Sequence, residues 1–247
     1  MNACLAEFLG TALMVLLGNG VVANVCLNKA KGRASGWMVI ATGWAFAVFV
    51  AVVVAGPYSG AHLNPAVTIG LALCHVFSWS LVPGYILAQM AGGIFGGLLV
   101  YLFYRDHFLI TEQEPLKRGC FCTEPAIRNT GSNLFSEIIG TFVLVFVVFY
   151  ISKGSVTLPG ASGHAAIGLG SVGGLPVAML VWAIGLSLGG TTGYAINPAR
   201  DMGPRIALAL VGKQINTSPD WGYAWIPVAG PVLGALLAAL IHGLVMV

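Results

Sequence analysis

The chain has 247 residues, of which 57% are hydrophobic and 8% are charged, and its formal net charge at pH 7 is +3. Soluble domains carry about 25% charged residues, so this composition, with a mean hydropathy of +0.90, excludes an ordinary water-soluble protein. Most of the basic residues lie in loops and form no basic face for phosphate contacts. We therefore expect a membrane protein without a nucleic-acid partner.

Six apolar stretches are long enough, or nearly so, to form transmembrane helices, which need about 20 residues. Two shorter stretches, 64–76 and 197–211, each begin at Asn-Pro-Ala and are predicted to be re-entrant or interfacial. Residues 1–6 contain no Lys or Arg, and the apolar stretch that follows is too long for a signal peptide, so no cleaved leader is expected. The predicted spans are 4–27, 37–56, 81–104, 133–152, 174–190 and 223–246.

The two halves of the chain resemble each other. The sequence "AEFLGT" at 6–11 is similar to "SEIIGT" at 136–141. Each half is predicted to contain three spans, and because three is an odd number the second half must lie upside down relative to the first, as in an inverted repeat. We predict one membrane domain, 1–247, with repeats at about 1–104 and 133–247 joined by the polar segment 105–132.

The tripeptide Asn-Pro-Ala occurs once in each half, at 64–66 and 197–199. Asn is a preferred N-cap residue and Pro suits the first helical position, so each copy predicts a helix start. A helix that starts inside a bilayer must be buried in protein or line a wet cavity, which predicts that 56–63 and 189–196 line water. Ordinary capping is the alternative, but two copies at matching positions favour a pore.

The inverted repeat is expected to bring the two helix starts together near the membrane midplane. Each N-terminus carries roughly half a positive elementary charge, so the pair repels cations, including hydronium, and disfavours ions relative to neutral hydroxylic solutes. The side-chain amides are expected to donate hydrogen bonds to a passing oxygen. The residues predicted to form this pore centre are Asn64, Pro65, Ala66, Asn197, Pro198 and Ala199.

The sequences "SGAHLNPAVT" (59–68) and "TGYAINPARD" (192–201) resemble the signatures of the major intrinsic protein family, which comprises the aquaporins and aquaglyceroporins. The resemblance covers essentially the whole chain, including the Gly-rich third and sixth spans. It implies an all-α membrane protein with six transmembrane helices and two re-entrant half-helices that meet at the midplane in an inverted repeat. It also implies a homotetramer with one pore per subunit. We expect no catalytic activity and no cofactor.

The narrowest point in the family is a selectivity filter of four residues, which the resemblance places at Trp44, Gly185, Tyr194 and Arg200. Water-selective members typically have His where this chain has Gly185, so we expect more space there. Trp44 and Tyr194 are expected to form an aromatic corner opposite Arg200, which suits a polyol. Bacterial glycerol facilitators often have Phe at the position of Tyr194, so the preferred solute stays open.

Other residues near the filter also resemble the glycerol-conducting branch, namely Asp201, Pro204 and Arg205. A charge at membrane depth is costly and by default functional, so Arg200 is predicted to add to the cation barrier. The alternative is that Arg200 pairs with Asp201. Trp44 has an alternative interpretation too, because a single Trp in a span is often an interfacial anchor.

Glu7 and Glu137 are charges within predicted spans and occupy matching places in the two halves. They are either a proton relay in a coupled transporter or acceptors for the backbone amides of the re-entrant loops, and their symmetry favours the second role, which we also assign to Asp201. His62 is interpreted as pore-lining rather than metal-binding, since no partner ligand is nearby. The other residues expected to line the pore are Gly60, Ala61, Gly193 and Ala195.

The five cysteines are scattered along the chain. Cys120 and Cys122 form a C-x-C pattern in the polar segment, which is either a redox or metal feature or a pair of small buried side chains. The absence of an accompanying His cluster favours the second interpretation. We therefore predict no metal site.

The leading hypothesis is a passive channel in the cell (inner or plasma) membrane for glycerol, water and similar small neutral solutes. Gly185 and Asp201 argue against a water-selective pore, whereas a channel for a protonated weak acid such as lactic acid stays open. A proton-coupled secondary transporter that uses the two glutamates is a further alternative. A membrane enzyme is least favoured, because the sequence offers no nucleophile–base pair and no metal-ligand spacing.

The family orientation places both termini in the cytoplasm and the segments 28–36 and 105–132 outside. These segments carry most of the basic residues, while the inner side has little beyond Lys153. Basic residues usually concentrate on the cytoplasmic side, so the charge pattern predicts the opposite orientation. We adopt the family orientation as the expectation.

Overall fold

The computed structural model describes residues 1–152, 154–157 and 164–245. Lys153, which the family orientation places on the inner side, lies outside the described residues, as does residue 246 of the last predicted span. The helices of the described part are α1 (Ala3–Cys26), α2 (Trp37–Ser59), α3 (Pro65–Leu73), α4 (Val82–Phe103), α5 (Arg105–Ile110), α6 (Glu114–Gly119), α7 (Thr130–Tyr150), α8 (Leu175–Ser187), α9 (Pro198–Val211) and α10 (Ile226–Val245).

Six of the helical segments in the described ranges are long and apolar enough to cross a membrane. They are α1, α2, α7 and α10, together with α4 and α8, each of which is extended at its start by a short 3₁₀ turn, Trp79–Leu81 and Gly170–Gly174. The six spans predicted from the sequence are therefore confirmed, with ends that differ by a few residues. The two short helices, α3 and α9, begin directly after Asn64 and Asn197.

Two features were not predicted from the sequence, and the second of them departs from the all-α pattern. The polar segment 105–132 contains the short helices α5 and α6, and α6 has recognisable signals, a Pro in its first turn and Lys117 and Arg118 in its last. Between α7 and α8, strand β1 (Ser155–Thr157) pairs antiparallel with β2 (His164–Ala166). Strands of three residues are too short to show a hydrophobic alternation in the sequence.

The two halves are packed into each other through their short helices. Helix α1 packs against α2 and α4, and α7 packs against α8 and α10. Helix α3 lies mainly against α10 of the second half, whereas α9 lies mainly against α4 of the first half. Each short helix is therefore held in place chiefly by the other half of the chain.

Glycines allow these helices to approach at backbone distance. A Cβ atom at Gly93 of α4 would lie 2.4 Å from the carbonyl oxygen of Ala199 in α9, and one at Gly203 would lie 2.8 Å from the Cα atom of Gly93. On the opposite side, a Cβ atom at Gly234 of α10 would lie 2.4 Å from the carbonyl oxygen of Ile138 in α7. Close contact of this kind, through small residues, is a common way of packing membrane helices.

The α4–α9 crossing predicts a difference between two Gly→Ala substitutions. Gly93→Ala forces the helices apart and should lower stability by about 1–3 kcal/mol, the usual effect of overpacking. Gly20→Ala in α1 is the matched control, since no atom lies within 4 Å of the added Cβ, and Ala favours helix by about 1 kcal/mol over Gly. Thermal unfolding in detergent should therefore show a lower midpoint only for Gly93→Ala, and equal midpoints would contradict the close crossing.

Candidate functional site

The segments that precede the two short helices adopt the same strained backbone. Before Asn64, residues Gly60, Ala61 and Leu63 have φ angles of 81°, 53° and 54°. A left-handed conformation costs a non-glycine residue about 1–3 kcal/mol, so each segment must be held by its surroundings. The equivalent residues before Asn197 repeat the pattern: Gly193 at 79°, Tyr194 at 39° and Ile196 at 43°.

Glu7 of α1 holds the first segment through its carboxylate. The carboxylate accepts hydrogen bonds from the backbone N–H groups of His62, at 2.9 Å, and Leu63, at 2.7 Å. It also accepts from the hydroxyl of Ser59 at 2.6 Å and the amide of Gln89 at 2.8 Å. The Glu7 side chain is fully buried, so its hydrogen-bonding capacity is spent on protein groups.

Glu137 of α7 makes the matching contacts in the second half. Its carboxylate accepts hydrogen bonds from the backbone N–H groups of Ala195, at 3.0 Å, and Ile196, at 2.8 Å. The hydroxyl of Thr192 donates a third bond at 2.7 Å. These contacts have the geometry expected of loop support, with each carboxylate fixing two successive amides of a strained segment.

The two Asn residues cap their own helices and also link the two halves. The Oδ1 atom of Asn64 accepts from the N–H of Ala66 at 2.9 Å, and its Nδ2 donates to the carbonyl of Ile196 at 2.8 Å. Asn197 mirrors this arrangement: its Oδ1 accepts from Ala199 at 2.9 Å and its Nδ2 donates to the carbonyl of Leu63 at 2.8 Å. A side-chain amide has two N–H donors, so one N–H group of each Asn is not used in the bond to the other half.

Two cavities meet at the predicted filter. The central cavity has a volume of about 150 Å³, and the second, of about 170 Å³, lies towards the face that carries segment 105–132, which we call the linker face. Trp44, Tyr194 and Arg200 line both cavities and so form the boundary between them.

The other predicted pore residues divide into three groups. Gly193 lines only the cavity on the linker face. The central cavity is lined by Asn64, Asn197, Gly60, Ala61, His62 and Ala195. Four members of the two motifs line neither cavity and are buried in the protein, namely Pro65, Ala66, Pro198 and Ala199.

The sequence had suggested that Arg200 faces Trp44 across the pore. In the structure, Arg200 instead stacks on the Trp44 ring. The guanidinium carbon lies 4.2 Å from the centre of the Trp44 ring, a cation–π contact. The indole is 3% exposed, so Trp44 is not an interfacial anchor. The six-membered ring of Trp44 packs onto α1 at Gly18. A Cβ atom added to Gly18 would lie 2.4 Å from Cε3 of Trp44.

The space beside Gly185 is filled by Tyr194, so the expectation of an open gap there is wrong. A Cβ atom at Gly185 would lie 3.0 Å from both the Cζ and the Oη atoms of Tyr194. The Tyr194 hydroxyl is buried and has no hydrogen-bond partner among the described residues. The glycine therefore accommodates the ring of Tyr194, whose hydroxyl is enclosed by the protein.

Asp201 pairs with Arg205, which excludes the pairing with Arg200 considered from the sequence. The Asp201 carboxylate accepts from Nε of Arg205 at 2.8 Å and from the backbone N–H and the hydroxyl of Thr123, at 2.7 and 2.6 Å. Arg205 also donates to the carbonyl of Thr123 at 2.8 Å. This buried network fixes the end of segment 105–132 on α9, and within the described ranges Arg200 forms no ion pair.

His62 belongs to an aromatic cluster that the sequence did not reveal. Its ring centre lies 4.6 Å from that of Phe77 and 4.9 Å from that of Tyr85, and Nδ1 lies 3.1 Å from the hydroxyl of Thr68. In the part of the chain that the structure describes, no group of three His, Cys, Asp or Glu side chains is placed to hold a metal ion.

Cys120 and Cys122 are buried free thiols. Burial raises the pKa of both thiols above its ordinary range, which makes them poor nucleophiles and poor metal ligands. Their contacts are structural: Sγ of Cys120 lies 3.1 Å from the carbonyl oxygen of Leu116.

The sequence interpretation missed Trp37, the first residue of α2. Its Nε1 donates to the carbonyl of Gly185 at 2.8 Å, and its ring meets that of Tyr194 edge-on, with centres 5.8 Å apart. The sequence did contain a signal for Trp37. It precedes Trp44 by two helical turns, which places both rings on one face of the helix.

Loop support predicts a loss of stability in Glu137→Gln. The variant keeps the size of the side chain but replaces one acceptor oxygen by a donor, so a buried N–H or hydroxyl loses its partner at a cost of about 1–3 kcal/mol. Thermal unfolding in detergent should shift downward, while the exposed control Glu112→Gln should not. A proton relay predicts the contrary result, loss of transport at unchanged stability.

Comparisons with known proteins agree with this geometry. The family described as "Major intrinsic protein" matches residues 1–242. The chain is 51% identical to the "Probable glycerol uptake facilitator protein" of Thermotoga maritima and 39% identical to the "D/L-lactic acid transporter" of Lactiplantibacillus plantarum, with 98% of each chain covered in both cases. The aquaglyceroporin of Plasmodium falciparum superposes with a TM-score of 0.80 at 29% identity, covering 97% of this chain and 93% of that one. The chain therefore belongs to the major intrinsic protein family.

Proposed function

We propose that the protein is a passive transmembrane channel that conducts glycerol and other small neutral solutes, together with water, and excludes protons and ions. One observation carries the proposal: the wall of the central cavity has two chemical components. The long helices contribute apolar side chains, including Met14, Val48, Leu144 and Val181, whereas the two strained segments and helix starts contribute Asn64, Asn197, Arg200 and peptide groups. A polyol has CH groups for the first component and hydroxyl groups for the second.

Exclusion of cations is supported by the charges around the cavity. The bonds from Asn64 to Ile196 and from Asn197 to Leu63 hold the N-termini of α3 and α9 close together, and each N-terminus carries roughly half a positive charge. Arg200 adds a buried guanidinium without an ion pair in the described ranges. A cation that gave up its water to enter would meet a positive potential on the polar side and apolar side chains on the other.

The family resemblance and the surface also support a proposal for the assembly and the location. We propose a homotetramer in the cell (inner or plasma) membrane, with both termini in the cytoplasm and the linker face outside. Large apolar side chains that are highly exposed in the single chain support contact with lipid or neighbouring subunits, among them Leu87, Phe103, Phe135 and Leu240. The matching contacts of the two halves support one membrane domain, 1–247, built from inverted repeats at about 1–104 and 133–247.

A protonated weak acid such as lactic acid is the second candidate solute. The guanidinium of Arg200, which lines both cavities, offers hydrogen bonds to the carbonyl oxygen of a carboxylic acid, and a relative is named for lactic acid. An undissociated acid is neutral and would pass the same cation barrier. A water-selective pore is disfavoured by the apolar side chains that make up much of the wall of the central cavity, and a proton-coupled transporter is disfavoured by glutamates whose oxygens are already bonded. Nothing in the site suggests an enzyme or a cofactor.

Stopped-flow light scattering of proteoliposomes tests the proposed solute. Water and glycerol should cross severalfold faster than in empty liposomes, because the cavity wall provides partners for both faces of a polyol. Urea and lactic acid at acid pH are compared in the same preparation. Glycerol flux equal to that of empty liposomes would contradict the proposal, and accumulation that follows a pH gradient would indicate coupled transport.

Arg200→Ala should weaken ion exclusion. Removing the guanidinium deletes a buried positive charge and uncovers the face of Trp44, so the filter widens. Proteoliposomes that contain a pH-sensitive dye should show a proton leak, and larger polyols should permeate faster relative to glycerol. The control Arg105→Ala removes an exposed arginine and should behave as the unmodified protein. Unchanged selectivity without a leak would remove Arg200 from the filter.

A further inference from the structure

Trp37 lies next to the four filter positions but is not one of them. It lines the cavity on the linker face, where it is 39% exposed, and it contacts two filter residues. We propose that Trp37 is a positioning residue that sets the aperture of the filter by holding the ring of Tyr194 against α8. The inference deepens the proposed channel function and rests on it.

The hydrogen bond from Trp37 reaches a carbonyl that the helix itself leaves free. Helix α8 ends at Ser187, so Gly185 belongs to the last turn, whose carbonyls lack partners within the helix. The indole N–H of Trp37 donates to this carbonyl at 2.8 Å. Trp37 therefore ties the start of α2 to the end of α8, at the level of the filter.

The rings of Trp37 and Tyr194 meet over a second glycine of the same helix end. A Cβ atom at Gly189 would lie 2.4 Å from Cδ1 of Tyr194 and 2.7 Å from Cζ2 of Trp37. The two ring planes make an angle of 78°, an edge-to-face arrangement that aromatic pairs prefer. Trp37 thus covers one side of the Tyr194 ring, while Gly185 lies against its hydroxyl end.

Tyr194 is 4% exposed, and within the described ranges its side chain is held by packing contacts and not by a hydrogen bond of its own. Its hydroxyl makes no hydrogen bond among the described residues, and its backbone has a φ of 39°. Packing against α8 keeps the ring at the wall between the two cavities. Without Trp37, the ring is free to turn into the passage, which narrows it for glycerol more than for water.

The test is the ratio of glycerol to water permeability in proteoliposomes. Trp37→Ala should lower this ratio by about threefold or more, a small change in barrier height. Trp37→Phe keeps a ring beside Tyr194 and should retain most of the ratio. Trp221→Ala, which removes an exposed tryptophan that lines neither cavity, is the matched control and should leave the ratio unchanged.

A double-mutant cycle separates positioning from general structural damage. In a Tyr194→Ala background there is no ring for Trp37 to hold. The double variant should therefore have the same ratio of glycerol to water permeability as Tyr194→Ala alone. An unchanged ratio in Trp37→Ala alone, or equal losses in both backgrounds, would overturn the inference. If the unmodified protein excludes glycerol, that result contradicts glycerol as the solute and not the role of Trp37. The same four proteins are then compared by their ratio of urea to water permeability.

Discussion

The buried carboxylates of Glu7 and Glu137 hold the parts of the chain on which the site depends. Each accepts two successive backbone amides and a hydroxyl from a segment with left-handed residues. Strain of about 1–3 kcal/mol for each such non-glycine residue is offset by hydrogen bonds to a charged acceptor, worth about 1.5–3 kcal/mol each. The segments in turn carry the Asn caps, the peptide groups of the wall and Tyr194, so all of these take their positions from two side chains on α1 and α7.

The two halves share a backbone but differ in the side chains that it carries. Ala61 and Tyr194 occupy equivalent left-handed positions, and Val67 and Arg200 occupy equivalent positions after the two Asn residues. The first half therefore presents a methyl group and a branched apolar chain where the second presents an aromatic ring and a guanidinium. The crossed bonds of Asn64 and Asn197 make the centre symmetric, while the residues of the proposed filter lie on one side only. In the proposed channel, a repeated fold thus provides one barrier at the centre and one selective mouth.

Local signals in the sequence predicted the structural features that depend on a few neighbouring residues. Length and hydropathy located the six spans, and Asn before Pro located the starts of α3 and α9. Contacts between distant elements were harder to predict. Arg205, not Arg200, is the partner of Asp201, although the spacing of four residues within a helix was a signal for it. The contacts of Trp37 and Thr123 connect segments far apart in sequence, which no local pattern encodes, and the short β1–β2 pair lacked a detectable alternation.

Three glycines define where the filter rings lie. Gly18 receives the ring of Trp44, and Gly185 and Gly189 receive that of Tyr194. The absence of His at position 185 therefore does not by itself widen the passage, because Tyr194 occupies the space that a larger side chain would need. A larger residue at 185 and the present position of Tyr194 exclude each other. The two positions should be interpreted together when selectivity is inferred from such sequences, since the aperture depends on where the aromatic ring rests and not on the size of one residue.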